Sequence, residues 1–301
     1  IVHLEDCLIK SLLKTENTAA GFSGFKIYPA LGYYPFDEDL LALWKYAEIH
    51  ELPIMTHCIA GTIYYRGRKK PAWNEHPVFM EEGRNEAHLS LPEKSNGHFT
   101  VNFTHPLNYL CLVHEPLLRI LVGKADERIQ TLFGYRGTSQ PMEHDLSKLK
   151  ICLAHFGGED EWVKYLEDDR NNYAQQFIGD RKKGLDFFQD DGITPHWNKL
   201  AKIWRGVDWY SIICSLIVQN ENIYTDVSYV LSKPRIMPLL NQTLDESLNP
   251  KLCRRVLYGT DFYVVRNHFS DKDLVTQLCH ELSEAQFDRI ARQNPTTYLL
   301  S

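Results

Sequence analysis

Three side chains that can bind a divalent ion or move protons, His57, His155 and Asp261, each close a short apolar run. The runs are LPIMT before His57, KICLA before His155 and RVLYGT before Asp261. Neutral imidazole and carboxylate are ordinary ligands of a cation such as Zn²⁺, and such an ion lowers the pKa of a bound water towards neutrality. Singly, each residue has a plain structural explanation: a strand-end His held by hydrogen bonds, or an Asp after Gly-Thr that caps a helix or forms a turn. Taken together, each in the same position at the end of an apolar run, they point to one shared site.

Such a site needs elements that bring the three ends together. Five segments have the continuous apolarity of strands buried on both faces: 24–28 (GFKIY), 52–57, 150–155, 222–228 (NIYTDVS) and 255–260. Helical patterns lie between them. Acidic residues after Asp37 open a helix with the apolar face Leu40, Leu43, Trp44 and Ala47 that stops before Pro53. Ser270 with Asp273, and Ser283 with Gln286, are capping patterns for two closing helices. These carry Leu274, Leu278 and Leu282, then Phe287, Ile290 and Ala291, until Asn294-Pro295 ends the second. Alternation of strand and helix predicts a parallel α/β sheet, and in a parallel barrel the carboxyl ends of the strands share one mouth. Residues 59–149 and 171–206 exceed simple connections and are read as insertions, either functional covers, oligomer contacts or surface excursions. One domain, 1–301, is expected. The chain opens on Ile1 within an apparent helix (Leu4, Leu8, Leu12), which suggests that a beginning is missing.

Composition narrows the function. With 44% hydrophobic and 24% charged residues the chain is an ordinary globular one, and a formal charge of −6 provides no phosphate-seeking field, so nucleic acid is not an expected partner. Seven cysteines, an odd number without a CxxC pair, read as reduced thiols. No run of about 18 apolar residues could span a bilayer. The expectation is a soluble cytoplasmic protein with a small-molecule substrate and no membrane partner, with homo-oligomerisation open.

Six separated segments resemble, in order, the amidohydrolase superfamily, in the branch that includes aminocarboxymuconate semialdehyde decarboxylase and its hydrolase relatives. They are GFKIYPALGYYPFDEDLLALWKYAEIHELPIMTHC, NFTHPLNYLCLV, LKICLAHFGGEDEW, NIYTDVSY, VLYGTDF and NPTTYLL. The resemblance implies a (β/α)8 TIM barrel of which five βα units, the fourth to eighth strands, are recognisable here. It implies one divalent metal ion, with Zn²⁺ expected, bound by His57 and Asp261. It also implies that His155 moves protons and that Asp261 doubles as general base. Relatives begin with a strand ending in His-x-His that supplies two further ligands, and no His-x-His occurs in the 301 residues. The first three βα units are therefore expected outside this sequence or on another chain, or else the site is degenerate.

Further residues are candidates for substrate binding. Tyr64, Arg66 and Arg68 follow His57 closely and could clamp an anionic substrate by stacking and forked hydrogen bonds, unless they form a solvated basic loop. Lys26 lies inside the strand that supplies a carboxylated lysine in two-metal relatives, and a structural or substrate-facing role is expected for it. His105, in the THP segment, either lines the pocket or caps the following helix. Asp226 and Ser228 are expected to orient the site from behind. The function expected is a metal-dependent hydrolase acting on a small carboxylate-bearing substrate. The alternatives are a non-oxidative decarboxylase or hydratase on the same site, and an inactive barrel with a binding role.

Overall fold

The apolar runs ending in His57, His155 and Asp261 become neighbouring parts of one sheet in the computed structural model, which describes residues 23–61, 63–81, 87–167, 172–266 and 270–300. Its strands are β1 (Phe25–Ile27), β2 (Ile54–Ile59), β3 (Glu75–Met80), β4 (His88–Ser90), β5 (Ile151–Gly157), β6 (Ile223–Asp226) and β7 (Val256–Leu257). Five of them form the main sheet in the order β1-β2-β5-β6-β7, and every neighbouring pair in it is parallel. The protein is thus a mixed α/β fold built on a parallel five-stranded sheet. Strands β3 and β4 form a separate antiparallel pair. The helix expected over residues 4–13 lies outside the described residues.

Register sorts the side chains onto two faces, because partners across a parallel ladder share a face and successive residues alternate. Ile54, Ile151, Leu153, Ile223 and Val256 face the main core, where they join Trp44, Phe103, Trp162, Tyr210 and Ile213 from the surrounding helices. The opposite face carries Lys26, Met55, Cys152 and Tyr224 in one row. Part of it is a small cluster of Cys152, Tyr224, Leu257 and Met55 packed with Tyr298 of the final helix, whose hydroxyl donates to the Ile54 carbonyl at 2.9 Å.

Several local expectations are met and some are corrected. Ser283 and Gln286 make a full capping box, and the Ser270 side chain accepts from the Asp273 amide. The helix Glu38–Ile49 stands where expected, but it buries Leu41, Trp44 and Ala47 while Leu40 and Leu43 lie at the boundary. Apolar residues at 40, 41, 43, 44 and 47 mark two overlapping stripes, and packing selects the one centred on Leu41 and Trp44. Asn294-Pro295 does not end the last helix. A π-helical turn, Arg289–Gln293, passes into a further helix, Asn294–Leu300. Proline is tolerated there because the first turn of a helix has no partner for its missing N–H. The Asn294 side chain instead donates to the Cys253 and Val256 carbonyls at 2.8 and 2.7 Å.

The stretch 59–149 is also more than an excursion. It contains the β3–β4 pair and the helices Asn96–Thr104, Glu115–Lys124 and Glu127–Phe133, and it places Phe79, Phe99, Phe103, Leu117 and Phe133 in the main core. The six described cysteines are free. No helix among the described residues is long and apolar enough to cross a membrane.

Candidate active site

Because the five strands are parallel, their carboxyl ends share one edge of the sheet, and the polar residues that end them collect there. His57 lies on the same face as Met55, one alternation further along β2, and the register places Tyr28 beside it from β1. The two rings stack with centroids 5.1 Å apart at 25°. Burial pushes the His57 pKa down to about 3, helped by the neighbouring His155 and Lys26, so the imidazole is neutral. Both His57 ring nitrogens are buried without a hydrogen-bond partner among the described residues.

Simple alternation would send His155 away from His57, since Ala154 already occupies the position paired with His57. A β-bulge changes this. From His57 to Ile59 strand β2 advances two residues, while β5 advances three, from Ala154 to Gly157. His155 and Phe156 adopt positive φ of 66° and 44°, followed by Gly157 and Gly158 at 79° and 88°. The extra residue turns the His155 ring back to the His57 side, with centroids 4.9 Å apart in an edge contact. Phe156 turns the other way, into the core against Trp162 and Tyr210. Re-aiming a side chain is a recurrent use of bulges beside active sites. The bulge is tied down by the Trp162 indole donating to the Phe156 carbonyl at 2.8 Å and by the Gly158 amide donating to the His155 carbonyl at 2.8 Å.

His155 is held from behind by β6. Its Nδ1 lies 2.9 Å from Ser228 Oγ, and its backbone N–H donates to Asp226 Oδ1 at 3.1 Å. The same carboxylate oxygen accepts from the Ser228 amide at 2.9 Å and from the Ser228 hydroxyl in a short contact. His155, Asp226 and Ser228 are all buried. The next residue, Tyr229, has φ of 65°, and its ring stands edge-on to His155 at 6.4 Å.

Asp261 lies four residues beyond the end of β7, half-buried on the same edge, with φ of 50°. The end of β5 and the segments after β6 and β7 therefore each hold non-glycine residues at positive φ, a costly geometry that clusters at functional sites. Among the described residues, no group of three or more His, Cys, Asp or Glu side chains is placed to hold a metal ion. The unpaired nitrogens of His57 nevertheless fit a ligand's requirements.

The remaining candidates divide. Lys26 is exposed, with its ammonium 5.4 Å from the Tyr28 ring centroid, on the face that carries His57. Arg66 and Arg68 are exposed and Tyr64 is half-buried, with the Arg66 guanidinium 5.5 Å from the Tyr64 ring. His105 is buried and stacks on Trp204 at 3.8 Å. Its Nδ1 accepts from the Leu107 amide and its Nε2 bonds the Trp204 carbonyl, each at 3.2 Å, so both nitrogens are engaged by the fold in the capping arrangement. Tyr28 was not among the residues picked from the sequence. It ends an apolar strand just as His57 does, and that signal could have found it.

No known family model matches the chain, and no curated protein matches it at a significant level.

Proposed function

We propose that the chain forms one wall of an amidohydrolase-type (β/α)8 barrel and serves as a metal-dependent hydrolase of a small, carboxylate-bearing substrate. The observation that carries the reading is His57: a buried, neutral imidazole with two unpaired nitrogens, at the carboxyl edge of a parallel sheet and against a second, anchored histidine. An unpaired buried polar group costs about 1–3 kcal/mol, so its retention calls for a partner that the described residues do not provide. The barrel reading is supported by strand order. It follows chain order without reversal, as in a barrel wall, whereas a doubly wound sheet reverses at its switch point.

His57 and Asp261 are the proposed donors to the ion. When bound, a divalent ion such as Zn²⁺ would supply an activated water and polarise the scissile carbonyl. His155 holds or moves a proton beside His57, and Asp226 and Ser228 keep its ring in place. The Lys26 ammonium, on the same face, suits a substrate carboxylate.

Metal uptake tests the proposal. Protein stripped with a chelator and titrated with Zn²⁺ should take up one ion per chain, lose that uptake in His57→Ala, and hydrolyse carboxylate-bearing amides or lactones only when loaded. A folded wild-type protein that binds no divalent ion sinks the reading.

A further inference from the structure

The geometry points to Asp226 and Ser228 as positioning residues that fix His155 in the tautomer with its proton on Nδ1, leaving Nε2 as the bare, basic nitrogen. The argument is one of proton counting. Asp226 Oδ1 accepts from two backbone amides, those of His155 and Ser228, so it stands as an acceptor. The Ser228 hydroxyl has a single proton, and it is donated to that same oxygen. Ser228 Oγ therefore has only lone pairs left for His155 Nδ1 at 2.9 Å, and Nδ1 must bring the proton. A neutral imidazole protonated there has none on Nε2.

This is the minor tautomer of an unconstrained histidine side chain, so the site selects it. The Asp226 carboxylate does two jobs from one atom. It pins the left-handed backbone at the bulge through the His155 amide, and it orients the serine that reads the ring. In its neutral form His155 can take a proton at Nε2 but cannot give one there. A proton acceptor is what the first step of an attack by water requires. The catalytic job of His155 rests on the hydrolase reading above, whereas its tautomer does not.

The two are separable by experiment. In protein labelled with ¹⁵N-histidine, freed of metal and held at pH 8, two-bond ¹H–¹⁵N spectra distinguish protonated from bare ring nitrogens. The His155 signal is assigned by its loss in His155→Gln. Wild-type protein should show Nδ1 protonated and Nε2 bare, and Ser228→Ala should shift His155 towards the usual mixture in which Nε2–H predominates. This pattern in a protein without hydrolase activity leaves the positioning assignment intact and removes the hydrolase reading. A wild-type His155 protonated on Nε2, or a tautomer unchanged in folded Ser228→Ala, overturns the assignment.

Discussion

At the scale of single residues, His57 and Asp261 separate binding from stability. A buried imidazole with two unpaired nitrogens weakens the metal-free fold, so replacing it by an apolar ring of similar size should relieve that cost. His57→Phe is expected to raise the metal-free protein's stability by about 1 kcal/mol in urea unfolding while abolishing metal uptake. A destabilisation instead would make His57 a structural residue. Asp261→Asn keeps the shape and a neutral oxygen donor but removes charge and basicity. If Asp261 both ligates and accepts a proton, kcat should fall by about 10² to 10⁴ while metal affinity falls less. A fully active Asp261→Asn protein would rule out its catalytic assignment. Spacing alone pointed to His57, His155 and Asp261, because a polar residue closing an apolar strand is a visible pattern. What it could not reveal is which of them meet: His57 and His155 do so through ring contact, and Asp261 shares their edge of the sheet.

At the scale of elements, the decisive feature is the bulge in β5, and it was not legible. KICLAHFGG reads as a plain strand ending in a turn, yet the register gain over β2 decides that His155 and Phe156 leave on opposite sides. The five strands themselves were legible, since doubly buried strands must be apolar throughout, and so were the Ser270 and Ser283 caps, which rest on local chemistry. The buried stripe of the helix Glu38–Ile49 and the continuation past Pro295 depended on tertiary partners and were misread. The glycines of the bulge provide its test. Gly158 has φ of 88°, and a Cβ there would lie 2.5 Å from the Ile59 side chain. Gly158→Ala should therefore cost about 1–3 kcal/mol in urea unfolding, from backbone strain and crowding together. Ser283→Ala, which removes a cap but touches no core, should cost about 1 kcal/mol. A Gly158→Ala protein as stable as wild type would mean that the bulge tolerates a side chain.

At the scale of the whole molecule, one core runs from Tyr34 to Ile290, and the segment 59–149 is part of it. That core encloses imidazoles in neutral form. Burial pushes the His76 pKa down to about 3 and that of His114 to about 4, and it holds His105 well below the ordinary histidine value of 6.5. For each, the folded pKa lies below the unfolded one. Above about pH 6.5 neither state binds the proton and stability is complete. As pH falls through 6.5 towards 4, the unfolded chain takes up protons that the folded chain refuses, so stability drops. Asp37 and Asp208 act in the opposite sense, because burial raises both to about 6 and the folded chain then holds their protons from pH 6 down to about 4. His57, held at about 3, adds a fourth such imidazole, and burial raises Glu161 as a third such carboxyl; with the imidazoles more numerous and beginning about half a unit higher, the balance is a net loss of stability between about pH 7.5 and 5. His105→Gln isolates one contribution, because a glutamine amide can still donate to the Trp204 carbonyl and accept from the Leu107 amide without titrating. Urea unfolding of wild type and variant across pH 7.5 to 5 should show the variant's decline flatter by up to about 1.4 kcal/mol per pH unit, the value of one proton. Parallel declines in the two proteins would show that His105 takes up its proton in the folded state as readily as in the unfolded chain, contrary to its buried, doubly bonded position.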